Sequence, residues 1–214
     1  MTPSDFVRSN TVLTAPPLVP EIALHLATEV IPLWRSTEEE LAAQGVPPPY
    51  WAFAWAGGQA LARYVIDNPE IVSNLAVLDF GSGSGLVAIA AMKAGARVTQ
   101  ACDLDEFAAA AIALNARAND VPVAIERRDL IGGERRWDTI LVGDMCYERP
   151  LAERLLAWLH DLARAGCAVY LGDPGRSYFP KAGVEKLATY SVRTTRELED
   201  MEIRETSVYR LVPT

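Results

Sequence analysis

Val77-Leu78-Asp79-Phe80-Gly81-Ser82-Gly83-Ser84-Gly85 decides how this chain is read. Ala76 to Phe80 is short, apolar and stopped by a glycine cluster, which predicts a buried strand. Leu86 to Ala94 predicts a helix closed by Gly95. A strand that turns into a helix through alternating glycines leaves helix N–H groups unpaired. It also lets bare backbone come close to a ligand.

The spacing narrows the ligand. A dinucleotide fingerprint needs Gly or Ala at the sixth position of Gly-x-Gly-x-x-Gly, and this chain has Leu86 there. The strand also carries Asp79 two residues before Gly81. Asp-x-Gly-x-Gly-x-Gly resembles motif I of the class I S-adenosylmethionine (SAM)-dependent methyltransferases. That resemblance implies a loop of Gly81, Gly83 and Gly85 passing beside the amino-acid end of SAM, with Asp79 helping to hold it. Glycines alone would also serve a tight turn or another nucleotide fold.

Length and composition set bounds. The 214 residues are enough for one domain with an N-terminal extension, and 50% hydrophobic content is enough for a core. A net charge of −8 disfavours nucleic-acid and anionic-membrane partners, which require a basic surface. Cys102, Cys146 and Cys167 lack metal-ligand spacing and read as reduced, buried thiols. His25 and His160 are isolated, so no metal site is expected. Neither a membrane span nor a secretory leader is evident, and a cytoplasmic, monomeric protein is the expectation.

Residues 1–50 hold eight of the 14 prolines and read as an N-terminal arm, with 51–214 as the main domain. Within the arm, Glu21 to Glu29 predicts a short helix with His25 on its solvent side, and Ser36 to Gly45 a capped second one. Trp51-Ala52-Phe53-Ala54-Trp55-Ala56-Gly57-Gly58-Gln59 sets three aromatics beside two glycines. This run is either a hydrophobic anchor between arm and domain or a flat aromatic wall against a cofactor. A helix follows over Ala60 to Asp67.

Beyond the glycine loop, strands are predicted over Arg97–Asp103, Val123–Asp129, Asp138–Asp144 and Cys167–Asp173, with helices over Glu106–Ala116 and Pro150–Arg164. This alternation means a parallel sheet covered on both faces. Lys186–Thr194 and Glu205–Val212 are β-rich, and a charged segment over 196–202 joins them, so an antiparallel pair should complete seven strands. The fold class is therefore α/β, Rossmann-like, with a mostly parallel seven-stranded sheet.

In an open α/β sheet the ligand lies beyond the carboxyl ends of the strands. Asp79, Asp103, Asp129, Asp144 and Asp173 occupy five such ends. Any one of them could be a helix cap, and Asp105 reads as one. Asp103 can accept both ribose hydroxyls of an NAD-like or SAM-like nucleotide. Asp129, followed by Leu130, matches the place where such methyltransferases contact adenine. Asp144-Met145-Cys146-Tyr147 follows the fourth strand, where a methyl group would be delivered. A lysine amine, with its pKa of about 10.4, must lose a proton before it can attack, and an Asp beside a phenol can orient it. The structural alternative makes Asp144 a cap and Tyr147 its packing partner.

Taken together, the chain resembles the seven-β-strand protein-lysine methyltransferases, and among them the electron transfer flavoprotein beta subunit lysine methyltransferases. The resemblance is carried by Pro49 to Tyr64, Asp79 to Gly85, Gly143 to Tyr147, and the arm segments Phe6–Thr11 and Pro17–Ile22. It implies SAM as cofactor and S-adenosylhomocysteine as product. It also implies that Trp55, Gly57, Asp79 with the glycine loop, Asp103 with Leu104, Asp129 with Leu130, and Asp144 form the cofactor site, with Asp144 and Tyr147 facing the lysine. The implied partner is the flavoprotein beta subunit. Two rivals stand beside this reading. One is a methyltransferase for another acceptor, such as a ribosomal protein, a protein N-terminus or a small amine like nicotinamide. The other is an inactive SAM-fold interaction module.

Overall fold

The computed structural model describes residues 2–27, 48–194 and 202–213. Seven strands form one sheet: β3 (Ala76–Phe80), β4 (Val98–Cys102), β5 (Ala124–Glu126), β6 (Thr139–Gly143), β7 (Ala168–Asp173), β8 (Val184–Arg193) and β9 (Ile203–Leu211). Their order across the sheet is β5-β4-β3-β6-β7-β9-β8. The first five run parallel, while β9 is antiparallel to both β7 and β8. The expected antiparallel pair is therefore present, with the later strand inserted inside the earlier one.

β3 is buried along its whole length because both of its faces are covered. Val77 and Leu141 enter one core with Leu61 and Ile89 from the helices α2 (Ala56–Asp67) and α3 (Leu86–Lys93). Their neighbours Leu78, Ile140 and Val142 point the other way, onto Leu155, Trp158 and Leu159 of α5 (Arg149–Arg164). The period-two alternation of a strand thus feeds two separate cores. α4 (Glu106–Ala118) follows β4 and is capped by its own Asp105, which accepts from the Phe107 amide at 2.8 Å.

The N-terminal residues depart from expectation. A helix, α1 (Pro3–Asn10), begins at a capping box in which Thr2 and Asp5 exchange hydrogen bonds, with proline in its first turn. Thr2-Pro3-Ser4-Asp5 was the legible signal for it. β1 (Val12–Thr14) and β2 (Leu24–Leu26) then pair antiparallel, so the predicted helix over Glu21–Glu29 is replaced by a strand where it is described. The reason is tertiary. Asn119 accepts from the Ala23 amide and donates to its carbonyl, and Asn115 accepts from the His25 amide at 2.7 Å. Two side chains of α4 thus take the backbone bonds that a helix would have supplied internally. His25 is half-buried, its Nδ1 lies 3.3 Å from Thr11 Oγ1, and burial lowers its pKa. The predicted helix over 36–45 lies outside the described residues.

Candidate active site

Both helices that meet the sheet at the glycine loop lack a capping side chain of their own. α3 starts after Gly85, and its free Ala88 amide donates to Asp79 Oδ2 at 2.9 Å. Ser82 donates its hydroxyl to the same oxygen at 2.5 Å. α2 starts after Trp55, and its Gly57 amide donates to Asp144 Oδ2 at 2.8 Å. Each helix therefore borrows a carboxylate from a strand of the sheet, where the positive end of the helix dipole favours an anion.

Gly57 also explains why α2 begins four residues earlier than predicted. A Cβ there would stand 2.4 Å from the Gly172 carbonyl oxygen and 2.8 Å from the Asp144 nitrogen. One at Gly143 would stand 2.9 Å from the Gly58 Cα. Bare backbone on both sides lets the helix end rest directly on the tips of β6 and β7.

A cavity of about 630 Å³ opens at the carboxyl ends of β3, β4 and β6. Of the residues singled out in the sequence, Trp55, Gly81, Gly83, Asp103, Leu104, Asp129, Asp144 and Tyr147 line it. Asp79 lines a smaller pocket that shares the Trp55, Gly81, Gly83 and Gly143 walls. Three other expected residues stand outside the cavity lining. Gly57 is buried with its amide on Asp144, and at Gly85 (φ +83°) an added Cβ would stand 3.3 Å from the Ile112 side chain. Leu130 leans on the α5-side core, and Ile131 takes its place at the cavity.

The carboxylates differ in their surroundings. Asp103 accepts from the Gly83 amide at 2.9 Å and the Asp105 amide at 3.1 Å, and burial raises its pKa. It ties the glycine loop to the start of α4 and keeps further lone pairs at the cavity. Asp129 lies three residues beyond β5 and is exposed. It accepts from the Ile131 amide and from Arg154 at 2.8 Å, and these bonds lower its pKa. Burial pushes Asp79 up to about 7 and Asp173 up to about 6.

Asp144 is 8% exposed and sits at φ +62°, a conformation that Asp tolerates better than most residues. Its Oδ1 accepts from Arg176 Nε at 2.5 Å. The Arg176 guanidinium also lies 5.9 Å from the centre of the Trp55 ring. Tyr147, 42% exposed, has its phenol pushed up to about 12 by burial, and its ring centre is 5.8 Å from that of Tyr50. Arg176, Tyr50, Arg154 and Met145 line the cavity without having been singled out in the sequence. Met145 and Tyr50 lay within quoted stretches without a role of their own, and Arg176 and Arg154 carried no signal there. Cys102, Cys146 and Cys167 are buried free thiols, with Cys102 and Cys146 pushed up to about 12 by burial. Among the described residues no group of three or more His, Cys, Asp or Glu side chains could hold a metal ion, and no helix is long and apolar enough to cross a membrane.

Sheet order, glycine loop and acid-rimmed cavity together define a class I methyltransferase fold. Solved structures agree on the fold. A magnesium protoporphyrin IX methyltransferase from Synechocystis with bound SAM superposes with a TM-score of 0.53 at 16% identity, covering 72% of this chain and 76% of its own. A ribosomal protein L11 methylase from Lactobacillus delbrueckii gives 0.50 at 22% identity, covering 73% and 80%. A family model for ribosomal protein L11 methyltransferase (PrmA) matches residues 60–142. That span carries the glycine loop and Asp103, and stops short of Asp144.

Relatives that match along almost the whole chain are more specific. A Xenopus laevis protein named electron transfer flavoprotein beta subunit lysine methyltransferase is 39% identical over 218 residues, 99% of this chain and 87% of its own. The human protein of that name is 36% identical over 97% of this chain and 81% of its own. The chain belongs to the electron transfer flavoprotein beta subunit lysine methyltransferase family, and it is a methyltransferase.

Proposed function

We propose that the cavity binds SAM and that the protein methylates lysine side chains of the electron transfer flavoprotein beta subunit. The observation that carries this reading is the near full-length match to relatives of that name, which includes the β6 tip that the L11-type match omits.

The residues present fit the cofactor. A cavity of about 630 Å³ lies within the usual range for small-molecule sites, about 300–1,000 Å³. Asp103 offers carboxylate lone pairs to ribose hydroxyls. Trp51, Phe80, Leu104 and Ile131 offer apolar walls for a purine, and Asp129 stands beside them for its amino group. Gly81 and Gly83 present backbone to the amino-acid end, near the Asp79 pocket. When bound, the sulfonium supplies a methyl group to an amine by in-line displacement.

The chain's own task is to present that amine. Asp144 is fixed at one oxygen by Gly57 and at the other by Arg176, and each oxygen retains a lone pair to accept from the amine. The Tyr147 phenol stays protonated through the neutral range, so it can donate or accept without adding charge. The amine's proton leaves to water before attack. Tyr50 and Trp55 narrow the approach; their ring centres are 6.0 Å apart.

Labelled SAM incubated with this protein and purified beta subunit should place label on beta-subunit lysines. Label confined to small molecules, or no binding of SAM by calorimetry, would reject the reading.

A further inference from the structure

We propose that Arg176 is a positioning residue for methyl transfer: it fixes the Asp144 carboxylate and cancels its charge, so that the acceptor amine arrives neutral. This rests on the reading above that Asp144 faces the amine.

The geometry is specific. Asp173, at the end of β7, accepts at one oxygen from both the Gly175 and the Arg176 amides, each at 2.7 Å. That turn sends the Arg176 side chain back across to the neighbouring tip of β6. There its Nε meets Asp144 Oδ1 at 2.5 Å while its guanidinium approaches the Trp55 ring. Arg176 and Asp144 side chains are only 20% and 7% exposed, so solvent screens the pair weakly. The other Asp173 oxygen is buried with no hydrogen-bond partner among the described residues. This buried acid serves to aim an arginine.

Chemistry gives the pair its use. A lone buried carboxylate at the acceptor position would attract ammonium, the unreactive form, and raise its pKa. Pairing with a guanidinium leaves an acceptor of fixed direction but little net charge. The groups that act on the pair are otherwise acidic or neutral: Asp173 from β7, and Cys146 and Tyr147 from the segment after β6, with Tyr50, Glu148 and Asp103 acting in turn on Tyr147. Two other arginines at the cavity are paired elsewhere, Arg128 with Glu126 and Arg154 with Asp129.

The test compares wild type, Arg176→Gln and Arg176→Lys, with purified beta subunit as substrate. Calorimetry gives SAM affinity, and kcat/KM is measured from pH 6.5 to 10. Arg176→Gln should bind SAM within about threefold of wild type, lose about 100-fold in kcat/KM at pH 7.5, and show its acid limb moved up by about one pH unit. Arg176→Lys should return the limb to its wild-type position while recovering only part of the rate, because an ammonium restores the charge and not the guanidinium geometry. A limb that stays put in Arg176→Gln, whatever the rate, overturns the proposal and leaves a structural ion pair. A wild-type enzyme that labels no lysine overturns the functional reading first, and this inference with it.

Discussion

The amide of Gly57 donates to the Asp144 carboxylate at 2.8 Å, joining the start of α2 to the tip of β6 across 87 positions of sequence. One hydrogen bond thus both serves a helix start and fixes the acid that we propose faces the acceptor amine.

Gly57→Ala should be costly and Gly58→Ala should not. At Gly57 the obstructing atoms are backbone, which cannot step aside; at Gly58 a Cβ meets nothing within 4 Å. We expect Gly57→Ala to lose about 1–3 kcal/mol in urea unfolding together with most methyl transfer. Gly58→Ala, inside the helix, should be neutral or gain up to about 1 kcal/mol.

Asp144→Asn should cost stability as well as rate. Both carboxylate oxygens now accept, from Gly57 and from Arg176. An amide has one oxygen, so one of those donors must face an NH2 group. A loss of about 1–3 kcal/mol is expected, along with a fall in kcat/KM of about 10²–10³, while SAM affinity in calorimetry stays near wild type. Intact methylation by this variant would remove Asp144 from the chemistry.

Asp103→Ala should raise the SAM Kd by about 10- to 100-fold, the usual effect of deleting a charged hydrogen-bond partner. The Gly83 and Asp105 amides would lose their acceptor at the same time. Asp129→Ala should act more weakly, because Asp129 is exposed and already paired with Arg154.

The apo protein should be more stable near pH 5 than near pH 8. Burial raises the pKa of Asp79 to about 7, of Asp105 and Asp173 to about 6, and raises that of Asp103. The folded state keeps protons that the unfolded chain releases near pH 4. Stability from these groups is therefore fully present below pH 4 and lost as pH rises toward 7. Urea midpoints should fall over that window, and Asp79→Asn should flatten the slope by up to about 1 kcal/mol per pH unit. A midpoint that climbs instead would show these acids to be ionised in the fold.

The centre of the sheet was readable because β3, β6 and β7, buried almost throughout, are apolar runs punctuated by glycine and aspartate. The places of Asp103, Asp144 and Tyr147 beside the cavity were readable for the same reason: each follows a strand end whose position periodicity gives. The Leu24–Leu26 strand was not, since the groups that hold its backbone, Asn115 and Asn119, lie about 90 positions away. Arg176 was equally hidden, because its contact with Asp144 exists only once β6 and β7 are side by side. The glycines after Trp55 stood out as unusual, but their reason is packing against Gly143 and Gly172, a constraint that periodicity does not express.

The sheet order carries a consequence for assembly. β8 touches the rest of the sheet only through β9, although it is made first. A nascent chain that has synthesised β8 has nowhere to dock it, and the flank of β7 stays open as a template for stray strands. The hairpin must zip together before or as it lands, so the last step of folding joins a ready-made pair to a waiting edge.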